Sequence, residues 1–148
     1  MPDASRPGTY PRLVTGLFLV YSVCLLAGTY THAKDLLVHG FLAAPVPLAV
    51  GLYWNALTLL DPLAALLLWG RPRYGLSLTA AIMVSDLSVN TAVYLAGYFG
   101  PPTPHMVPLT LFEQSLFGLF VFVTGPIAYQ LLPNATRSLA PPPTTATY

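Results

Sequence analysis

Four long apolar runs, none containing a lysine or arginine, most constrain what this chain can fold into. They cover about residues 13–29, 46–69, 76–96 and 107–132. A helix needs roughly 20 mostly apolar residues to cross a hydrocarbon core of about 30 Å. Each run has approximately that length, and the breaks between runs are plain. Pro45 and Pro47 precede the second run, and Arg71-Pro72-Arg73 follows it. Gly100-Pro101-Pro102-Thr103-Pro104 separates the third from the fourth. Spanning strands would show about ten residues of alternating polarity, and these runs do not alternate. Only 7% of the residues are charged, against about a quarter in a soluble domain. The surface of such a chain suits lipid better than water. The expectation is an all-α, four-helix transmembrane bundle.

Orientation follows from the basic residues. Arg6 and Arg12 precede the first run, Arg71 and Arg73 lie between the second and third, and Arg137 follows the fourth. With four crossings these regions share one side, and the opposite side holds only Lys34. The positive-inside rule then puts both termini in the cytoplasm, with the protein in the cell membrane. The 30–45 segment and the loop near Pro101 face outward, with a short interfacial helix expected over Leu36–Leu42 around His39 and Gly40. The domain plan is a disordered tail over 1–11, a membrane domain over 12–132, and a second disordered tail over 133–148 that is rich in Pro, Thr and Ala. The first run is long for a signal peptide and no clean cleavage site follows it, so it reads as a retained span. Asn134-Ala135-Thr136 forms a sequon on the cytoplasmic side, where it stays unused.

Several function classes fall away. Net charge is +1, and no basic run, phosphate-binding glycine loop or zinc-type cysteine spacing is present. Nucleic acid is therefore not an expected partner, and nothing calls for a cofactor. Cys24 is the lone cysteine and reads as a small hydrophobe within a helix. His32, His39 and His105 all fall outside the runs, at spacings of seven and 66 that read as loop residues rather than as a metal site.

The informative residues are the acids. Of the five, Asp61, Asp86 and Glu113 lie within the runs. An acid at the bilayer centre costs about 2.5–3.5 kcal/mol on insertion scales and faces a bundle interior or a cavity. In the second run Trp54, Thr58 and Asp61 fall at helical spacing with Asn55 beside them, and Pro62 predicts a kink at the acid. In the third, Thr79, Asp86, Asn90 and Tyr94 share a face. In the fourth, Thr110, Glu113 and Gln114 cluster near the outer end, and Thr124 and Pro126 mark a second break. Counting from the inner ends, Asp61 lies about eight residues up, roughly 12 Å, and Asp86 about ten, roughly 15 Å. The two acids can meet near mid-membrane, where a carboxyl without a base can exchange a proton. They are the candidate catalytic pair. Trp54, Asn55, Thr58, Asn90, Tyr94, Glu113 and Gln114 are the candidate ligand-binding residues. The same polar groups can also serve only to hold helices together, at about 0.6 kcal/mol per contact.

The segments Leu52-Tyr53-Trp54-Asn55 to Leu59-Leu60-Asp61 and Ala81-Ile82-Met83-Val84-Ser85-Asp86 resemble the EXPERA family, which includes the emopamil-binding sterol isomerases and the sigma-2 receptor. The likeness covers roughly spans two to four. It implies four helices, a long first outer loop and a pocket for a lipophilic amine or sterol-like ligand. Asp61 stands where the family carries a Glu in its second helix. Asp86 stands close to where the family carries a His in its third. No His lies in any expected span, so the resemblance implies the pocket rather than the isomerase chemistry.

Three functions remain open on the sequence. One is a pocket for a lipophilic ligand or lipid, either binding only or acting as a lipid or terpenoid isomerase or cyclase. Another is a proton-coupled transporter of small molecules, which at this size works as a homodimer. The third is an accessory subunit whose polar residues pair with a partner's helices.

Overall fold

The computed structural model describes residues 10–42, 45–98, 100 and 108–132. Four α-helices run through them: α1 over Arg12–His39, α2 over Leu48–Gly70, α3 over Pro72–Leu95 and α4 over Leu109–Leu131. Residues 1–9 of the tail expected over 1–11, the tail expected over 133–148, the loop around Pro101 with His105, and the sequon lie outside the described residues, whereas Tyr10 and Pro11 are described and Tyr10 packs on Phe18. Consecutive helices are antiparallel neighbours, and α4 returns to touch α1, so the bundle is a closed four-helix ring.

Proline starts every helix. Pro11, Pro47 and Pro108 sit at the caps of α1, α2 and α4, and Pro72 is the first residue of α3. Proline is suited to this place because its fixed φ is already helical and a first-turn N–H would have no partner. The Pro11, Pro47 and Pro108 carbonyls accept from Thr15, Gly51 and Phe112 at 3.1, 3.1 and 3.0 Å. Pro62 and Pro126, expected to mark a kink and a break, lie inside helices that continue through them.

Two boundaries differ from expectation. The segment expected as an outer loop is mostly helix. Tyr30 to His39 continues α1 without interruption to 28 residues, about 42 Å, and Gly40 ends it at φ +89°. Thr29 and Thr31 help by turning their hydroxyls back onto the Leu25 and Gly28 carbonyls. Polar residues at 31–35 do not stop a helix; they only stop it being apolar. The connection expected between the runs ending at 69 and starting at 76 likewise shrinks to one residue, because Arg71 alone joins α2 to α3. That turn requires glycine at 75. A Cβ there would collide with the backbone of Leu67 and Leu68.

Each of the four helices is long and apolar enough to cross a membrane. Their outward faces carry large apolar side chains, among them Leu19, Val23, Leu59, Leu66, Val84, Leu119 and Val123. Lipid is the solvent that suits such a surface, and the chain is a multi-pass membrane protein. One end of the bundle holds Arg12, Arg71 and Arg73 and is called the arginine end below; the other is the far end. The tight core lies toward the arginine end. Phe18 is fully buried between the rings of Tyr10 and Trp69, both edge-on, with Val14, Ala64 and Leu68 around it. Tyr21 closes the ring between α1 and α4. Its hydroxyl donates to Thr124 Oγ1 at 2.6 Å, since Thr124 gives its own proton to the Phe120 carbonyl.

Candidate functional site

The stripe expected on α2 does face inward. Asp61 is buried at 5% exposure, and Trp54, Asn55 and Thr58 are half-buried above it toward the far end. On α3, Thr79 and Asp86 are buried and Asn90 and Tyr94 half-buried. Thr79 satisfies itself on the Gly75 carbonyl at 2.8 Å and joins no site.

Asn90 is the hub. Its Oδ1 accepts from Trp54 Nε1 on α2 at 2.8 Å. Its Nδ2 donates to Asp86 Oδ1 one turn below at 3.0 Å and to Gln114 Oε1 on α4 at 2.9 Å. One primary amide thus ties three helices, with both N–H groups engaged. A second link between α2 and α3 lies beside it. Tyr53 donates its hydroxyl to Ser85 Oγ at 2.8 Å, because Ser85 gives its proton to its own helix backbone.

The two acids are set at different depths. Helix α3 begins four residues earlier than expected, so Asp86 lies 14 residues from Pro72, about 21 Å. Asp61 lies nine residues from Gly70, about 14 Å. Both are buried in the bundle interior, yet they have different seats. Asp86 is held by Asn90. Asp61 presses on α1 at Gly28, where an added Cβ would lie 2.8 Å from its Oδ2. With only an α-hydrogen in that direction, Gly28 leaves room for the carboxyl group. Glycine at 28 is what lets α1 pass over a carboxyl group.

Above this network, at the far end, is a cavity of about 510 Å³. That volume lies within the range of small-molecule sites. Its walls come from His32, Asp35, Leu36 and His39 of α1, from Gly40, Leu42 and Pro45, from Gly51, Trp54 and Asn55 of α2, and from Asn90 of α3. Of the expected ligand-binding residues, Trp54, Asn55 and Asn90 line it. Gln114 meets it through Asn90, whereas Thr58 and Tyr94 stand outside the lining. Glu113 is exposed on α4 and belongs to no part of it. Asp61 and Asp86 do not line the cavity either; Asp86 reaches it only through Asn90.

Among the described residues two buried polar atoms have no hydrogen-bond partner, Asn55 Nδ2 and Thr58 Oγ1. They sit one turn apart on α2, at the floor of the cavity and just below it. A buried donor without a partner costs about 1–3 kcal/mol, so a group that supplies an acceptor there gains correspondingly.

The α1 wall of the cavity was not expected. A spacing of seven residues says little in a loop, but on a helix it puts His32 and His39 two turns apart on one face, with Asp35 and Leu36 between. His39 and Asp35 approach to 3.9 Å at the mouth, where both are exposed. The available signal was the unbroken run of helix-compatible residues from Thr29 to His39, with no Gly or Pro before Gly40. Among the described residues no three His, Cys, Asp or Glu side chains are grouped to hold a metal ion. Comparisons with family models, with characterised proteins and with solved structures find no match.

Proposed function

We propose that this protein binds a lipophilic small molecule or lipid in the far-end cavity, with the polar head of the ligand turned down toward Asn55 and the Trp54–Asn90 pair. The observation that carries the reading is the cavity's construction. It is roomy, largely apolar on its Leu36, Leu42, Pro45 and Trp54 sides, and floored by amides, one of which has a buried donor without a partner. Few convergent polar groups in an apolar cleft are how small-molecule sites obtain orientation and specificity. The pocket architecture implied by the EXPERA resemblance agrees with this reading.

Binding is favoured over turnover. An isomerase or cyclase acting through Asp61 and Asp86 needs a carboxyl within reach of the substrate, and neither acid lines the cavity. Asp86 instead acts as a positioning group that holds the Asn90 amide. Arg12, Arg71 and Arg73 at one end, against Lys34 alone among the described residues toward the other, support an orientation with both ends in the cytoplasm and the cavity toward the outer side.

The test is mass spectrometry of small molecules that copurify in mild detergent. Wild type is compared with Asn55→Leu, which removes the unpartnered donor, and Gly51→Leu, which fills the wall. The expected result is a defined lipophilic compound retained by wild type and depleted at least tenfold in both variants. The same non-specific lipid in all three proteins would sink the proposal.

A further inference from the structure

A second recess lies at the opposite end of the bundle, and it is independent of the far-end cavity. It holds about 220 Å³ between α3 and α4 and is lined by Leu76, Ser77, Ala80, Val121, Phe122, Gly125, Pro126 and Tyr129. Helical spacing explains its form. Residues 76, 77 and 80 follow Arg73 at i+3, i+4 and i+7, so they continue one face of α3. Residues 122, 125, 126 and 129 form the facing stripe on α4. Serine, alanine and glycine along these stripes leave the space. Phe122 and Tyr129 remain 42% and 44% exposed, so the groove opens outward to the lipid rather than into the bundle.

The groove is polarised along its length. At the arginine end the Arg73 guanidinium lies 5.3 Å from the centre of the Tyr129 ring, so a cation is bonded to a lining residue. Arg71 is exposed beside it. From Arg73 to Ala80 the groove runs seven residues, about 10 Å, toward the hydrocarbon centre. Beyond Ser77 its lining is apolar. Among the described residues no acid lies at this end: Asp35 and Glu113 are toward the far end, and Asp61 and Asp86 are interior. The arrangement is positive at the membrane surface, aromatic just below it and apolar beneath.

The geometry points to a binding site for an anionic glycerophospholipid of the arginine-side leaflet, with its phosphate at Arg73 and one acyl chain laid along Ala80, Val121 and Phe122. Charge and polarity vary along the groove in the same order as along the lipid, and basic groups at the membrane surface attract anionic headgroups. The acyl chain contributes dispersion contact with a recess that straight-sided neighbours would leave unfilled.

The experiment is native mass spectrometry of delipidated protein in detergent, titrated with phosphatidylglycerol or phosphatidylcholine. Wild type is expected to retain phosphatidylglycerol about fivefold more strongly, the effect of about one surface arginine. Arg73→Gln should abolish that preference while still accepting either lipid weakly. Ala80→Phe should reduce retention of both. Arg12→Gln removes a charge from the same end without touching the groove, and should leave the preference unchanged. Circular dichroism confirms that each variant remains helical, and if Ala80→Phe fails to fold, Ser77→Leu fills the same groove. Equal retention of the two lipids by wild type, an equal loss with Arg12→Gln, or a dimer that the groove-filling variant dissociates would each overturn the assignment. The last outcome would give the groove to a second copy of the chain.

Discussion

Near the arginine end, side chains fill the space between the helices; near the far end the helices part around a cavity and meet mainly through amides and hydroxyls. Phe18, Val14, Ala64 and Leu68 are fully buried in the first region. In the second, Trp54, Asn55, Asn90 and Gln114 are only half-buried. In lipid there is no gain from hiding apolar surface, so helices associate by close packing and by polar bonds. This molecule uses the two means in different halves. Close packing stabilises one half and leaves no room for a guest inside the bundle, only the outward groove between α3 and α4. Polar bonds hold the other half at fewer points, which is what allows an open cavity to persist within a stable bundle.

The division can be tested from the packed half outward. Gly75→Val should have the largest effect, about 3 kcal/mol of stability, because the added side chain meets backbone at the α2–α3 turn. Thermal unfolding in detergent measures it, and a wild-type melting profile would show that the turn is looser than described. Phe18→Ala should cost about 2 kcal/mol, the packing share of an aromatic deletion in a solvent that is itself apolar. It should leave ligand retention unchanged at temperatures where the protein stays folded; lost retention would mean the halves are coupled. Asn90→Leu should cost about 1.5 kcal/mol, since Trp54, Asp86 and Gln114 all lose a partner. It should also remove ligand retention. Asn55→Leu should change stability least, within about 0.5 kcal/mol of wild type or slightly upward, because the lost N–H had no partner. A clear drop in melting temperature for that variant would show that the amide is bonded in the native protein.

How much of this was legible beforehand follows the same division. The four spans were readable because hydrophobic runs of membrane length have few other interpretations. The inward placement of Asp61 and Asp86 was readable because an acid in lipid has only one tolerable direction. The far end of α1 was not, since Lys34, Asp35 and His39 break the apolar run without breaking the helix. Nor could the Trp54–Asn90–Gln114 linkage be seen. Helical spacing shows which residues share a face, but which faces meet at one level depends on the turn between helices, here a single residue. The seat of Asp61 on Gly28 was hidden for a related reason. A glycine in an apolar span carries no sign of the side chain it accommodates.

That one-residue turn has a consequence for how the protein is made. With only Arg71 between them, α2 and α3 cannot be threaded separately into a bilayer, for no slack remains to let one settle while the other waits outside. They must enter as a hairpin, and their acids enter with them. Asp86 then has its amide on its own helix, and Tyr53 can reach Ser85 across the pair before α4 is synthesised. A ribosome-bound chain stalled after α3 should therefore already hold both helices in the membrane, and lengthening the turn should slow that step while leaving the finished bundle unchanged.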